Sequence, residues 1–282
     1  MIDHFDFNFI DTKRGFISVE GPDAIAFLNG LMTNDINKLN QNHDIIYTCL
    51  LSSQGKYESD FFIFKWGTIF IIDCLQAHVP ILLQKFKLYK LRADVVISDQ
   101  TSRWFVRLSL GQRQDAQSFC DPRHSSLGYR SYYQTDCNRN LEQESDTQEA
   151  YTKFRLTQGI PCYPASLIPN KTIPLEANMD ELNAISWDKG CYLGQELTAR
   201  TKYRGTINKR YVPIHLESGT PEIGWEIQYK GEKIGSLLEF NDTVGLARLS
   251  IDMVIQIIKR GEVMTQKYCT LRPTIPSWLK LY

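Results

Sequence analysis

Lys189-Gly-Cys-Tyr-Leu-Gly-Gln-Glu196 is the stretch on which the reading of this 282-residue chain turns. Asp188 and Gly190 punctuate a turn, and residues 193–200 continue as a helix with Glu196 and Arg200 at i, i+4. Cys191 then lies at or just before that helix's N-terminus. Exposed amides, the positive helix end and nearby Lys189 favour a thiolate there. The residues alone leave two readings open. In one, Cys191 is a reactive or metal-contacting thiol; in the other, the glycines serve a tight turn and the thiol packs inward.

Around the motif, charge is uneven. Residues 189–210 hold Lys189, Arg200, Lys202, Arg204, Lys209 and Arg210 against Glu196 alone, a surplus of +5 over 22 residues of a chain whose 32 basic and 32 acidic residues cancel. Either these charges are solvated on a surface helix and loop, or they line a groove for an anion such as a carboxylate tail or phosphate. RNA is a further candidate, without a recognised RNA-binding signature beside the charge. Upstream, Tyr151 and Phe154-Arg155 precede Gly159-Ile-Pro161. An aromatic plus an arginine can stack on a flat heterocycle and pair with a carboxylate. Equally, Tyr151, Phe154 and Leu156 can pack while Arg155 caps a loop.

Farther out, the spacing of apolar residues predicts an α+β fold. Residues 16–19 read as a strand, and Gly21-Pro22-Asp23 breaks it and opens a helix with Ala24, Phe27, Leu28 and Leu31 on one stripe. Three β-rich runs follow, 45–51, 57–64 and 69–73, separated by turn residues at 52–55 and 65–67. Val79, Leu82, Leu83 and Phe86 mark a second helix, and 93–98 a further strand. This order suits an antiparallel or mixed sheet with helices on one face. Residues 111–125 and 136–149 read as loops or surface helices around a strand at 127–133, with Glu142, Glu144, Asp146 and Glu149 as a solvated acidic face. After Lys209, short β-rich runs at 211–216, 226–229, 233–240 and 244–249 alternate with turn residues, the pattern of a small barrel or sandwich.

Composition narrows the function classes. Zero formal net charge excludes a polyelectrolyte that binds nucleic acid through bulk charge. The longest apolar candidate, 61–75, is broken by Lys65, Gly67 and Asp73, so no membrane partner is expected. The acidic start lacks a basic signal region and is poor in Arg and Ser, which points to the cytoplasm. Seven scattered cysteines without CxxC argue against a disulfide framework or structural zinc, so most are expected reduced and buried. The five histidines show no metal-ligand spacing, and no metal site is expected. Neither a nucleophile elbow nor a phosphate loop is present.

Lys189–Glu196 resembles the signature of the YgfZ family, folate-binding relatives of the aminomethyltransferase (T-protein) of glycine cleavage. The run 173–186 before the motif and Leu197-Thr-Ala-Arg-Thr after it look most like the mitochondrial iron–sulfur assembly branch and its bacterial counterparts. Gly21-Pro-Asp-Ala with Phe27-Leu and Leu31-Met-Thr-Asn-Asp35 resembles the family's N-terminal helix. Phe154-Arg155 with Gly159-Ile-Pro161 resembles its central segment.

The resemblance implies a three-lobed T-protein-like ring, with a two-lobed α+β folate-binding region over 1–207 and a β-barrel over 208–282. It implies tetrahydrofolate, or a related folate, in the central opening. It also implies a role in assembling or repairing iron–sulfur proteins, tRNA-modifying enzymes among them. Partners would be client enzymes and assembly factors, with a weak tRNA contact. The matrix is the expected compartment if the source is eukaryotic. Cys191 and Lys189 would be the reactive pair, and Asn34, Tyr151, Arg155, Tyr192, Gln195 and Glu196 the folate contacts. Another folate-touching aromatic of the family falls at Arg14.

Two departures bear on chemistry. Aminomethyltransferases carry adjacent aspartates where this chain has Ser59-Asp60, and a glutamate where it has Thr157. Losing acids that would orient a cationic folate amine argues against aminomethyl transfer. That alternative needs a positioned acid or base near the folate nitrogens, and Asp60 is the candidate for it.

Overall fold

Strands form where β-branched and aromatic residues cluster, and they stop at the glycines and asparagines between. The computed structural model describes residues 5–40, 44–111, 113, 115–135 and 145–280. It resolves into two units, one of residues 1–54, 58–150 and 182–195, the other of 55–57, 151–181 and 196–282.

In the first unit the described elements run β1 (Asn8–Ile10), β2 (Arg14–Glu20), α1 (Ala24–Leu31), β3 (Ile45–Leu51), β4 (Tyr57–Trp66), β5 (Ile69–Leu75), α2 (Val79–Lys90), β6 (Val96–Asp99), β7 (Trp104–Ser109), β8 (Ser118–Cys120) and β9 (Tyr129–Gln134). A five-stranded sheet has the order β3-β4-β5-β2-β6, and a four-stranded one the order β1-β7-β9-β8. One face of the larger sheet, with Ile17, Val19, Phe61, Ile63 and Ile72, buries the predicted stripe Ala24, Phe27, Leu28 and Leu31 of α1, together with Val79, Leu82 and Phe86 of α2. Each of these large side chains contributes about 1.5–3 kcal/mol by leaving water. Register sets the other face: Phe62 lies opposite Asp73, and Asp73 opposite Phe16. That face meets aromatics of the smaller sheet, with Phe64 and Tyr132 rings 4.2 Å apart and Trp104 5.6 Å from Phe64.

Several expectations shift. The strand expected at 93–98 runs Val96–Asp99, because Ala93 closes a backbone turn with Lys90 and Val95 one with Ala93. The strand expected from 127 starts at Tyr129: Leu127 belongs to a 3-10 turn, and Gly128 leaves it at φ +75°, beyond the reach of a leucine. Residues 111–125 contain β8, which pairs with β9 and is only three residues long. Glu142, Glu144, Cys137 and most of the expected loop at 136–149 lie outside the described residues, and a helix begins at Ser145.

The second unit holds α3 (Ser145–Thr157, from Tyr151 onward), α4 (Gln195–Arg204), β10 (Lys209–Ser218), β11 (Glu226–Tyr229), β12 (Glu232–Asn241), β13 (Val244–Ser250), α5 (Ile251–Arg260), β14 (Met264–Gln266) and β15 (Cys269–Pro273). The strands close into a barrel in the order β10-β13-β12-β11-β14-β15, the barrel of the two alternatives the sequence left open. Val212, Ile214, Leu237, Leu249 and Leu271 fill its core, and Val254 and Ile257 of α5 pack against it. Charged pairs tie the preceding segment to the barrel strands: Arg155 to Glu239, Arg248 to Glu176 at 2.6 Å, and Arg210 to Glu181 at 2.8 Å.

Candidate functional site around Cys191

The motif loop is strapped to the end of α1 and the residues after it. Ser186 donates its backbone N–H to Thr33 O, Thr33 Oγ1 donates to Ala184 O at 2.6 Å, and Leu193 N–H donates to Gly30 O. Lys189 supplies the densest anchor. Its ammonium donates to the carbonyls of Asn29, Met32 and Asn34 at 2.8, 2.7 and 2.8 Å. Asn29 is in the last turn of α1, whose carbonyls lack partners within the helix and favour a cation, while Met32 and Asn34 follow the helix end. Burial pushes the Lys189 pKa down to about 8, against the attraction of Asp35, so the group stays a cation at neutral pH. An ammonium has three donors, and all three are spent. In this bonding Lys189 anchors the loop.

Cys191, two residues on, is exposed. A side chain added at Gly190 would meet nothing within 4 Å, so this part of the loop faces open solvent. Tyr192 turns inward and is buried beside Lys189, whose Nζ lies 5.1 Å from its ring centre. Gln195 accepts the Tyr192 backbone N–H through Oε1 at 3.3 Å, and Glu196 stands exposed in the first turn of α4. Of the two readings of Cys191, the presented thiol is the one the structure favours.

The expected folate contacts divide. Asn34 has no capacity left: Nδ2 donates to Tyr47 O and Asn183 O, each at 2.8 Å, while Oδ1 accepts from Lys38 Nζ and the Asp35 N–H. An amide offers two donors and two acceptor sites, and all four are used, so Asn34 splices α1 to β3 and the motif loop. Arg155 is buried and paired with Glu239, which also accepts from Ser166 Oγ, and it donates to Ile160 O. It binds a carboxylate of its own chain, so the packing alternative holds. Tyr151 is half-buried on α3 in the second unit.

The cationic stretch is also partly consumed. Lys189 is bound to carbonyls, Lys202 is paired with Asp180, and Arg210 is buried against Glu181. Arg200 and Arg204 remain exposed on α4. Half of the apparent anion groove is thus internal bonding.

Sequence reasoning missed a buried charge cluster between the two sheets of the first unit. Asp73 accepts from Arg14 at 2.6 Å, and from Arg130 and the Tyr132 hydroxyl at 2.7 Å each. Burial opposes ionisation, yet the two guanidiniums outweigh it and hold Asp73 below the usual carboxylate range. Asp121 is held down in the same way by Arg123 and Arg130. Arg130 lies 3.8 Å above the Phe62 ring. Arginines in otherwise apolar strands were the available signal. Near this cluster Asp60 accepts from the Tyr47 hydroxyl at 2.9 Å, and Ser59 Oγ lies 2.8 Å from His78 Nδ1, both buried. A cleft of about 430 Å³ is lined by Tyr47 and Asp121 together with Lys38, Asp44, Phe119, His124 and Asn183 among others.

Cys49, Cys74 and Cys269 are buried as expected and Cys162 half-buried. Cys120 is exposed, its thiol pushed up by partial burial and Asp121. Among the described residues no group of three or more His, Cys, Asp or Glu could hold a metal ion, and no helix is long and apolar enough to cross a membrane.

Residues 10–108 match the GCVT N-terminal domain family, and residues 208–281 the CAF17 C-terminal beta-barrel domain family. The chain is 30% identical over 275 residues to the mitochondrial iron-sulfur cluster assembly factor IBA57 of Mus musculus, covering 86% of this chain and 76% of that protein. It is 34% identical over 240 residues to the Neurospora crassa homologue, covering 75% of this chain and 54% of the relative. Against the Dictyostelium discoideum homologue it is 31% identical, over 72% of this chain and 60% of that protein. The chain thus spans little more than half the length of several curated relatives. Among solved structures, aminomethyltransferase T of the glycine cleavage system from Bartonella henselae aligns over 98% of this chain and 87% of its own, with TM-score 0.67 and 11% identity, a likeness of fold. With the motif loop, the two matched domains and a 30% identical relative covered over three quarters of its length, the chain belongs to the IBA57 family of iron–sulfur cluster assembly factors.

Proposed function

We propose that this protein assists the assembly or repair of iron–sulfur proteins through the Cys191 thiol, in transient contact with a cluster or a partner's thiol. The observation that carries this reading is an exposed cysteine held on a loop that Lys189 and Thr33 fix to α1. A four-iron cluster usually takes four cysteine ligands, and this motif offers one. The remaining ligands come from an assembly factor or a client enzyme, with the cluster as cargo between them. Cys191→Ser should leave the melting temperature unchanged and lower the activity of four-iron client enzymes in cells lacking the wild-type chain. Full client activity in that variant would refute the mechanism.

Tetrahydrofolate is the second ligand of this reading, on the strength of the T-protein-like fold. Two of the expected contacts do not fit it, because Asn34 is saturated and Arg155 is paired with Glu239. Tyr151, Gln195 and Glu196 are the expected contacts with exposure to spare. Titration with tetrahydrofolate should give saturable binding that Tyr151→Ala weakens; unchanged affinity would discard Tyr151. Contact with tRNA falls to Arg200 and Arg204, and neutralising each should lower the salt slope of binding by about one. We place the protein in the mitochondrial matrix by analogy with its relatives.

A further inference from the structure

The outer face of α2 does not match a helix that meets only water. Val79, Leu82 and Phe86 point inward, which leaves Ile81 and Leu88 on the opposite side, two turns and about 10 Å apart. Ile81 is 48% exposed and Leu88 68%. Leu91, just past the helix end, is 86% exposed and sits at φ 48°, ψ −109°, a conformation leucine rarely adopts. The backbone thus holds an apolar side chain outward at a cost.

The same segment is basic. Residues 79–92 contain Lys85, Lys87, Lys90 and Arg92 and no acid, in a chain of zero net charge. Lys85 pairs with Glu58 at 2.5 Å, while among the described residues no carboxylate pairs with Lys87, Lys90 or Arg92. Asp94, exposed just beyond, is the opposing charge.

We propose that the outer face of α2 docks peripherally on an anionic phospholipid surface, Ile81, Leu88 and Leu91 entering the interface and Lys87 and Arg92 reaching the headgroups. This is a contact lying on a bilayer, distinct from the spanning segment that the sequence excludes. Charge complementarity selects the occupant. Lysine stems flanking apolar tips suit headgroups above and acyl chains below. A convex ridge of this kind needs no matching groove in a bilayer, whereas an acidic protein would have to supply one.

Flotation of the full chain with phosphatidylcholine vesicles, with and without 30% cardiolipin, tests this. Wild-type protein should float with the anionic vesicles at 50 mM salt and dissociate at 500 mM. Each cation is worth about a factor of five in partitioning, so Lys87→Gln with Arg92→Gln should cost about 25-fold. Leu88→Gln with Leu91→Gln should cost tenfold or more. All four positions are exposed, and circular dichroism of each variant verifies folding. Wild-type protein that stays unbound overturns the proposal and passes the surface to an acidic protein partner. Retained flotation of the folded Leu88→Gln/Leu91→Gln variant overturns it too.

Discussion

Replacing Lys189 with Met isolates the anchor of the motif loop, because the aliphatic stem survives and the ammonium does not. Three carbonyls then lose their donor, those of Asn29, Met32 and Asn34. Met32 is 1% exposed and Asn34 3%, so water reaches two of the three poorly. A hydrogen bond to a charged group contributes about 1.5–3 kcal/mol, and a buried acceptor left unmade costs a similar amount. The desolvation that pushes the Lys189 pKa down to about 8 works in the opposite direction and is relieved by the substitution. The net expectation is a loss of about 2–4 kcal/mol, a fall in Tm of roughly 5–15 °C. Differential scanning calorimetry reads the stability, and hydrogen exchange over residues 183–194 reads the loop, which should lose protection before the sheets do. A Tm within a degree of wild type together with unchanged exchange would refute the anchor. A catalytic lysine predicts that refuting pattern, with stability intact and only activity lost.

Other perturbations test the surrounding framework. Arg130→Met removes a partner of both Asp73 and Asp121, and breaking such a buried pair costs about 3–5 kcal/mol. The folded pKa of Asp73 lies below its unfolded value, so its contribution is present above about pH 3.9 and lost as pH falls through the folded pKa. Without Arg130 that folded pKa rises, and acid unfolding followed by circular dichroism should begin at higher pH; an unmoved acid midpoint would contradict the cluster. Arg155→Met should cost about 3–5 kcal/mol in urea unfolding, while Arg155→Met with Glu239→Leu should regain most of it, because the uncompensated charge goes too. If the double variant is no more stable than the single, the pair is not the reason Arg155 is buried. Gly128→Ala should lower Tm by several degrees, since a Cβ there would meet Ser109 O at 2.1 Å on a backbone at φ +75°.

Local periodicity carried much of the fold. The α1 stripe and the run at 226–229 coincide with observed elements because each buries one defined face, and the run at 45–51 because all of its residues are buried. The helix Ile251–Arg260 was missed, although Ile251, Val254, Ile257 and Ile258 stand at helical spacing and Gly261 closes it in the left-handed conformation. What did not show was pairing at a distance. A positive run at 189–210 looks like a groove until Lys202 meets Asp180 and Arg210 meets Glu181, residues 22 and 29 positions away. Asn34 and Arg155 have the chemistry of ligand contacts, and only tertiary structure shows that protein atoms already occupy them. For Cys191 the glycine-flanked turn was a local property and legible, while the choice between a presented and an inward-packed thiol took the structure, in which Cys191 is exposed.

That contrast bears on mechanism. A reactive cysteine is ordinarily activated by a base or a cation free to engage it. Here the nearest basic residue of the motif has its three donors committed to carbonyls, and Tyr192 beside it is buried. The motif therefore presents a sulfur on a fixed loop without a proton-handling group of its own from Lys189, which accords with the proposed contact with a soft metal centre. Two variants separate those roles. Cys191→Ser should abolish client maturation with stability intact, and Lys189→Met should lower both together as the loop loosens. If Lys189→Met instead lost maturation at full stability, the lysine would be acting on the chemistry, and the reading of Cys191 as a bare presented thiol would fall.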